Sequence, residues 1–253
     1  MPLVTTEATV LKTYEYSETS KILRLLTRDL GLCSVIAKGA RRPKSRFGGL
    51  LEPFTDGEAT FYAKEGRELH TLSGFELHRE RQALGRELVR YAGAGLLSEI
   101  VLRFAPAAAD DELFFQLRRG LDHLVEENGD LEIVILQQAW QLIERLGFAP
   151  SIDRCTLCGA GIVGDEDCFF DLGGGGAICA RCRTRTSGLS LRPLKPRARA
   201  ELIGLLSPRP PLPAARRLET APAQRDLLRD FIAYHLADHR PLNSFRFLEE
   251  RLR

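Results

Sequence analysis

The chain lacks most of the signals that announce a membrane protein or an enzyme. No apolar run reaches the ~18 to 20 residues of a membrane-spanning helix. The start, MPLVTTEATV, has neither the charged nor the apolar region of a secretory signal, so a cytoplasmic protein is expected. There is no Walker P-loop, no G-x-G-x-x-G after a strand and no H-E-x-x-H helix, and GGGG at 173 to 176 precedes no Lys-Ser/Thr pair. The five histidines (His70, His78, His123, His235 and His239) show no triad or metal spacing and read as surface or packing residues. Low-complexity tracts are missing too. The chain has 253 residues, 44% hydrophobic and 28% charged, which is enough to bury a sizeable core in one to three domains.

Formal net charge is also small, at +2, but its distribution is uneven. The stretch AKGARRPKSRFGG (37 to 49) holds Lys38, Arg41, Arg42, Lys44 and Arg46 with no acidic residue. A second stretch free of Asp and Glu holds Arg181, Arg183, Arg185, Arg192, Lys195, Arg197 and Arg199. The rest of the chain is therefore net acidic. Solubility alone does not require charge of one sign to be gathered in two places, so a polyanionic partner, nucleic acid, is expected.

Residues 1 to 77 contain five segments of strand character: 7 to 16, 20 to 28, 31 to 39, 57 to 64 and 68 to 77. In the first, Ala8, Val10 and Lys12 alternate with Thr9, Leu11 and Thr13, as a half-buried strand does. Turns are expected at Asp29-Leu30-Gly31, at Asp56-Gly57 before the fourth strand, and at Glu65-Gly66-Arg67 before the fifth. Five short strands fit a small closed barrel, either an oligonucleotide/oligosaccharide-binding (OB) fold or an SH3-like barrel.

From residue 79 the period lengthens to about 3.6. Leu84, Leu88, Tyr91, Leu96, Ile100 and Phe104 mark one face of a helix that stops before Pro106. A second helix opens at Asp110, Asp111 and Glu112 and carries Leu113, Leu117, Leu121 and Leu124 on one face. A third spans 131 to 146, with Gly147 after it. Further helices are expected at 196 to 206 and 222 to 238, on either side of the stiff SPRPPLP segment. The acidic groups 110 to 112 and 165 to 167 read as a helix start and a solvated turn.

The sharpest local signal is CTLC (155 to 158) followed, after twenty residues, by CARC (179 to 182). Each C-x2-C offers two thiolates to one tetrahedral ion, and CFFDLGGGGAIC between them reads as strand, glycine turn and return strand. Cys155, Cys158, Cys179 and Cys182 are thus expected to hold one structural zinc. Two disulfides are disfavoured in a reducing cytosol, and a redox C-x2-C is the lesser alternative. Cys33 and Cys168 read as small core residues. The fold class expected is α+β: an OB barrel over 1 to 79, a helical domain over 80 to 149 and 186 to 253, and a zinc ribbon inserted at 150 to 185.

These elements in this order, with KGARRPKSRFGGLLEPFT (38 to 55) and the ending HLADHRPLNSFRFLEE (235 to 250), resemble the RecO family of bacterial recombination mediators over nearly the whole length. The resemblance implies a non-enzymatic protein that binds single- and double-stranded DNA and anneals complementary strands. It also implies association with RecR, contact with the acidic tail of the single-stranded-DNA-binding protein (SSB), and help in loading RecA. An acidic apolar tail suits a groove rimmed by Arg103, Arg118, Arg119 or Arg145. The DNA-binding residues expected are Lys38, Arg41, Arg42, Lys44, Arg46, Arg181, Arg183, Arg185, Arg192 and Lys195. Phe47 in the basic loop is the favoured stacking platform, ahead of Tyr14, Tyr16 and Tyr62. The competing class is a zinc-ribbon transcription factor or nucleic-acid enzyme, against which stands the lack of a recognition helix rich in Arg, Asn and Gln.

Overall fold

The computed structural model describes residues 2–63, 66–185, 191–207, 217–236 and 241–252. The expected SPRPPLP linker, apart from Ser207, and His239 lie outside them, as does part of the turn before the fifth expected strand. The chain divides into two compact units, Met1–Val125 and Glu126–Arg253.

Five strands open the first unit: β1 (Leu3–Glu15), β2 (Lys21–Thr27), β3 (Gly31–Ala37), β4 (Asp56–Tyr62) and β5 (Leu69–Arg79). They close into a barrel in the order β1-β2-β3-β5-β4. All pairings are antiparallel except β3 with β5. This is an OB-like barrel, which decides between the two folds that a count of five strands allows. Its core is built from Ala8, Val10, Leu23, Leu25, Val35, Ala59, Phe61, Leu72 and Phe75.

Two details of the strands depart from expectation. The β1–β2 register slips between Val10 and Lys12, where Leu11 bulges out. Beyond the bulge Thr13 lies opposite the core residue Leu23, while Lys12 and Tyr14 lie opposite Arg24 and Ile22, so Lys12 faces away from Ala8 and Val10. Asp56 and Gly57 are not a turn but the first residues of β4. A Cβ on Gly57 would stand 2.2 Å from the Glu76 carbonyl and 2.6 Å from the Phe75 ring, so this position needs glycine for close approach.

After a 3-10 turn at Gln82–Gly85 come α1 (Leu88–Phe104) and α2 (Asp111–Glu126). The first helix thus begins later than expected, and its buried side is Ala92, Ala94, Leu96, Leu97, Ile100 and Val101, with Leu88 and Tyr91 exposed. In α2, Asp110 caps the first turn by accepting from the Leu113 N–H, and the expected leucine face is buried.

A buried ion network fastens α2 and the linker to the barrel. The Asp56 carboxylate accepts from the Thr9 hydroxyl (2.7 Å), Arg81 Nη2 (2.7 Å) and Arg118 Nε (2.9 Å). Arg81 also donates to the Phe54 carbonyl (2.8 Å) and to Asp122 of α2 (2.7 Å). The Arg81 and Asp56 side chains are 1% and 2% exposed. Burial opposes the charge on Arg81, but hydrogen bonds and charge from Asp56 and Asp122 outweigh it and hold its pKa above the ordinary value. Around this centre, Arg118 and Arg28 both reach Glu7, and Arg28 reaches Asp111.

The second unit is built on α3 (Leu131–Arg145), which is buried on nearly every side and capped by Asp130. A small sheet follows: β6 (Cys168–Asp171) pairs with β7 (Gly176–Cys179) and with β8 (Leu191–Leu194). A helical turn, α4 (Ala180–Arg183), lies between β7 and β8, and α5 (Pro196–Leu206), α6 (Ala221–His235) and α7 (Asn243–Leu252) complete the unit. Phe231 of α6 meets Trp140 of α3 at 5.2 Å and Phe170 of β6 at 6.1 Å between ring centroids, joining sheet and helices through one aromatic core. Helix α7 has no counterpart among the expected elements; only Phe245 and Leu248 are buried along it, too few for a clear period.

Replacing Asp56 with Ala leaves the Arg81 guanidinium buried without its main counter-ion, and denaturant unfolding is expected to show a loss of about 3 to 5 kcal/mol. Glu7→Gln, at the more solvated edge of the same network, is expected to lose about 1 kcal/mol or less.

Candidate nucleic-acid interface and metal centre

The basic loop between β3 and β4 is a chain of tight turns. Hydrogen bonds run from the N–H of Ala40, Arg42, Ser45, Gly48 and Leu50 to the carbonyls of Ala37, Gly39, Arg42, Ser45 and Phe47. Its apolar residues point into the barrel: Phe47 and Leu51 belong to the barrel core, with Ala40 and Leu50 packed against it. Lys38, Arg41, Arg42, Lys44 and Arg46 all reach solvent, to differing extents. The loop is therefore a plug with cations on its outer surface. Arg41 ties it to the β1–β2 turn, donating to the Ser17 carbonyl (2.9 Å) and pairing with Glu15 (3.2 Å).

The expectation for Phe47 is overturned. It is 2% exposed, because an aromatic ring beside Leu50 and Leu51 gains more from filling the barrel than from standing in water. Arg46 covers the ring, 4.9 Å from its centroid. Tyr14, Tyr16 and Tyr62, less favoured on sequence grounds, are instead 45%, 61% and 42% exposed.

The second basic stretch divides by partner. Arg181, Arg183 and Arg185 are exposed in and just after α4, with Arg183 lying 4.3 Å over the Phe169 ring. Lys195 is exposed at the start of α5. Arg192 is paired with Asp230, and Arg197 with Glu201 and Glu219. Arg199 is buried and donates to the carbonyls of Ile162 and Gly164, both at 2.7 Å, so it braces the ribbon. Among the arginines considered for an acidic tail, Arg118 is committed to Asp56 and Glu7, Arg103 pairs with Glu99, and Arg119 donates to Gln116. Of these three, only Arg118 is drawn into the interior network, because α2 must neutralise Asp56.

The four cysteines come together as their spacing predicts. The first knuckle turns at Gly159 (φ +71°), whose N–H donates to the Cys155 carbonyl. The second is the end of β7 and the turn α4. The hairpin between them is closed by Asp171, which accepts from the Gly173 and Gly174 N–H groups. All four Sγ atoms lie within 4.8 Å of one another, with Cys158 and Cys179 at 3.9 Å. A tetrahedral ion with metal–sulfur bonds of about 2.3 Å separates its sulfurs by roughly 3.8 Å, so the cluster fits a metal.

The electrostatics of the bare thiols argue the same way. Burial pushes Cys155 up, but N–H groups of Cys179, Cys158 and Leu157 outweigh it and bring its pKa down to about 6. Hydrogen bonding with Cys158, then burial and the other cysteines, pushes Cys182 up to about 12. One thiolate forms readily and suppresses the next, so four thiolates coexist here only around a cation. Cys33 and Cys168 are buried in strands and are not among the four; Cys168 lies opposite Cys179 in the β6–β7 ladder, but its thiol donates to the Leu194 carbonyl (3.3 Å).

Comparison with known proteins agrees with both halves of this arrangement. The family model described as "Recombination protein O N terminal" matches residues 1–81, and "Recombination protein O C terminal" matches 85–244. A DNA repair protein RecO from Anaeromyxobacter sp. (strain K) is 35% identical over 249 residues, 95% of this chain and 94% of that one. Another from Desulfatibacillum aliphaticivorans is 31% identical over 261 residues, 99% of this chain and 98% of that one. A third, from Rubrobacter xylanophilus, is 34% identical over 184 residues, 73% of each chain. A barrel plugged by a cationic loop, a four-cysteine ribbon in a helical unit, and these matches over nearly the full length together place the chain in the RecO family of DNA repair proteins.

Proposed function

We propose that this protein binds single- and double-stranded DNA without reading its sequence and anneals complementary strands coated by SSB. With RecR it then promotes loading of RecA. The observation that carries this reading is the loop 38 to 51: five solvent-facing cations from Lys38 to Arg46, followed by Phe47, Leu50 and Leu51, which lock the segment into the barrel. Cations held on a fixed support neutralise phosphates at little ordering cost and specify no base. Arg181, Arg183, Arg185 and Lys195 offer a second, separate cationic surface. Annealing needs two polyanions to approach, and one strand on each surface lowers their repulsion by binding energy alone, with no nucleotide hydrolysis. The protein acts as a mediator rather than an enzyme, in the cytoplasm and at the nucleoid; no helix among the described residues is long and apolar enough to cross a membrane.

The ion in the cysteine cluster is zinc, for which four thiolates in two C-x2-C knuckles are a preferred set. With all four positions taken by protein, the ion supplies cross-linking rather than catalysis. Cys155, Cys158, Cys179 and Cys182 hold the ribbon shut, and Arg181 and Arg183, flanking Cys182, take their placement from it.

Annealing of SSB-coated complementary oligonucleotides without nucleotide is expected to be fast with this protein. It should be slow when Lys38, Arg41, Arg42, Lys44 and Arg46 are all replaced by Ala. The same variant should flatten the slope of log K against log salt for single strands by up to about 0.7 for each phosphate no longer neutralised; an unchanged slope removes the loop from the interface. Elemental analysis should find one zinc per chain, absent from Cys155→Ser. That variant should unfold at lower temperature while leaving the salt slope due to the barrel loop in place.

A further inference from the structure

The second unit holds a cavity of about 290 Å³ between the edge strand β8 of its small sheet and the helices α5 and α6. In the β6–β8 ladder Phe170 lies opposite Arg192 and Cys168 opposite Leu194, so Phe170, Arg192 and Leu194 share one face of the sheet. That face looks toward α6, because Phe170 meets Phe231 there and Arg192 pairs with Asp230. Across the gap stand Leu227 of α6 and two small residues, Ala198 of α5 and Ala223 of α6. Gln224 also lines the cavity and, at 1% exposure, is the one buried polar side chain to do so among the described residues.

The orientation of this amide is fixed by its partners. Gln224 Nε2 donates to the Ala198 carbonyl (2.8 Å) and to the Thr220 hydroxyl (3.1 Å). A carbonyl can only accept, and the Thr220 hydroxyl gives its own proton to Glu201 (2.5 Å), so the amide cannot be turned over. Its oxygen, Oε1, is buried and has no hydrogen-bond partner among the described residues. A buried acceptor of this kind calls for a donor. At the mouth the charges are already matched, Arg192 with Asp230 and Asp226 with Arg229 (2.8 Å).

An occupant therefore needs an apolar body for Phe170, Leu194 and Leu227, a donor for Gln224, and no charge on its buried part, which would compete with the pairs at the mouth. An aliphatic chain leaves Oε1 unpaired, and a phenol brings a donor but no acceptor on its ring for Arg192. A nucleobase with an exocyclic amine brings a stacking face, the donor and ring nitrogens that accept. Its phosphate would stay outside, where the residue after Leu194 is the exposed Lys195. We propose that this cavity takes a single adenine ring, with its amine donating to Gln224 Oε1. Thymine fits worse, because its one donor lies between two carbonyls that would face the Gln224 oxygen and the apolar wall. The ring can come from a free nucleotide or from an unpaired base of a bound strand. The proposal goes beyond the phosphate contacts of the barrel loop and does not depend on them, since every lining residue lies in the second unit.

The test is calorimetric titration of the full-length protein with deoxyadenosine and thymidine monophosphates. Alongside it, anisotropy with a labelled oligo(dT), with or without one central deoxyadenosine, separates the two sources. The adenine nucleotide is expected to bind about tenfold or more tightly than the thymine one, because thymine sets carbonyls against a buried acceptor. Ala198→Leu fills the cavity from inside, and Ala223→Leu closes it from an exposed helical position that leucine suits, so each should weaken adenine-nucleotide binding by about tenfold or more. Ala223→Leu should leave the thermal unfolding temperature unchanged, which keeps the test independent of folding. Gln224→Met should bring the two nucleotides within about twofold of each other, since it removes the acceptor. A gain from the central deoxyadenosine assigns the pocket to the strand, and free-nucleotide binding without that gain assigns it to the nucleotide pool. Absence of both, equal binding of the two nucleotides, or an Ala223→Leu variant that binds as the parent does overturns the pocket. The variant with all five loop cations replaced should lose oligo(dT) and keep the adenine nucleotide, so failure of the loop and failure of the pocket are told apart.

Discussion

One carboxylate shut away from water organises the first half of this protein. Asp56 is the first residue of β4, and it cannot remain ionised in the interior without partners of opposite charge. It recruits Arg81 from the segment after β5 and Arg118 from α2, and Arg81 in turn holds Asp122 and the Phe54 carbonyl. An apolar contact would let the linker and helix slide over the barrel surface. Directional charge-assisted bonds, each with a poor alternative, allow one placement. The chain just before β4 shares the constraint: Phe54 is held at φ +70°, where a non-glycine residue rarely sits, by bonds to both Arg81 and the Val10 carbonyl. The return of the basic loop into the barrel is therefore anchored at the same point as α2.

That anchoring explains how a segment with so little regular structure can present charge reproducibly. The loop from 38 to 55 has no helix or strand, yet Phe47 and Leu51 are as buried as most barrel residues. Its apolar half stabilises its position and its cationic half faces solvent, a division of labour within one loop. The ribbon achieves a comparable result with sulfur. One face of the small sheet packs into the helical core through Phe170, and at its other end four thiols gathered from two C-x2-C segments form a cluster that fits a metal.

Much of this is legible in the sequence. Five strands, the cysteine cluster, the glycine hairpin between its halves, and α2 with its capped start all follow from spacing and turn chemistry. The departures share a physical origin, in that local pattern does not report what packs against it. Phe47, flanked by Arg46 and Gly48, looks like a surface residue until Leu50 and Leu51 are seen entering the barrel beside it. Asp56-Gly57 has the composition of a turn, but the aspartate is there for Arg81 and the glycine for the Glu76 carbonyl. Arg192, Arg197 and Arg199 add to a basic stretch in sequence, while in space acidic groups or backbone carbonyls claim them. The α1 face is hard to read because the helix's second half is buried on most sides, which erases the period.

The bulge at Leu11 shows how little it takes to change what a strand is for. Side-chain direction in a strand has a parity, and one extra residue acts on it as a single insertion acts on a reading frame: everything downstream is re-phased. Upstream of Leu11, the even-numbered residues Ala8 and Val10 are written for the interior; downstream, Lys12 and Tyr14 carry the same parity but are read out to solvent. β1 thus encodes two surfaces in one uninterrupted strand, and the residue that separates the two messages is itself buried and belongs to neither.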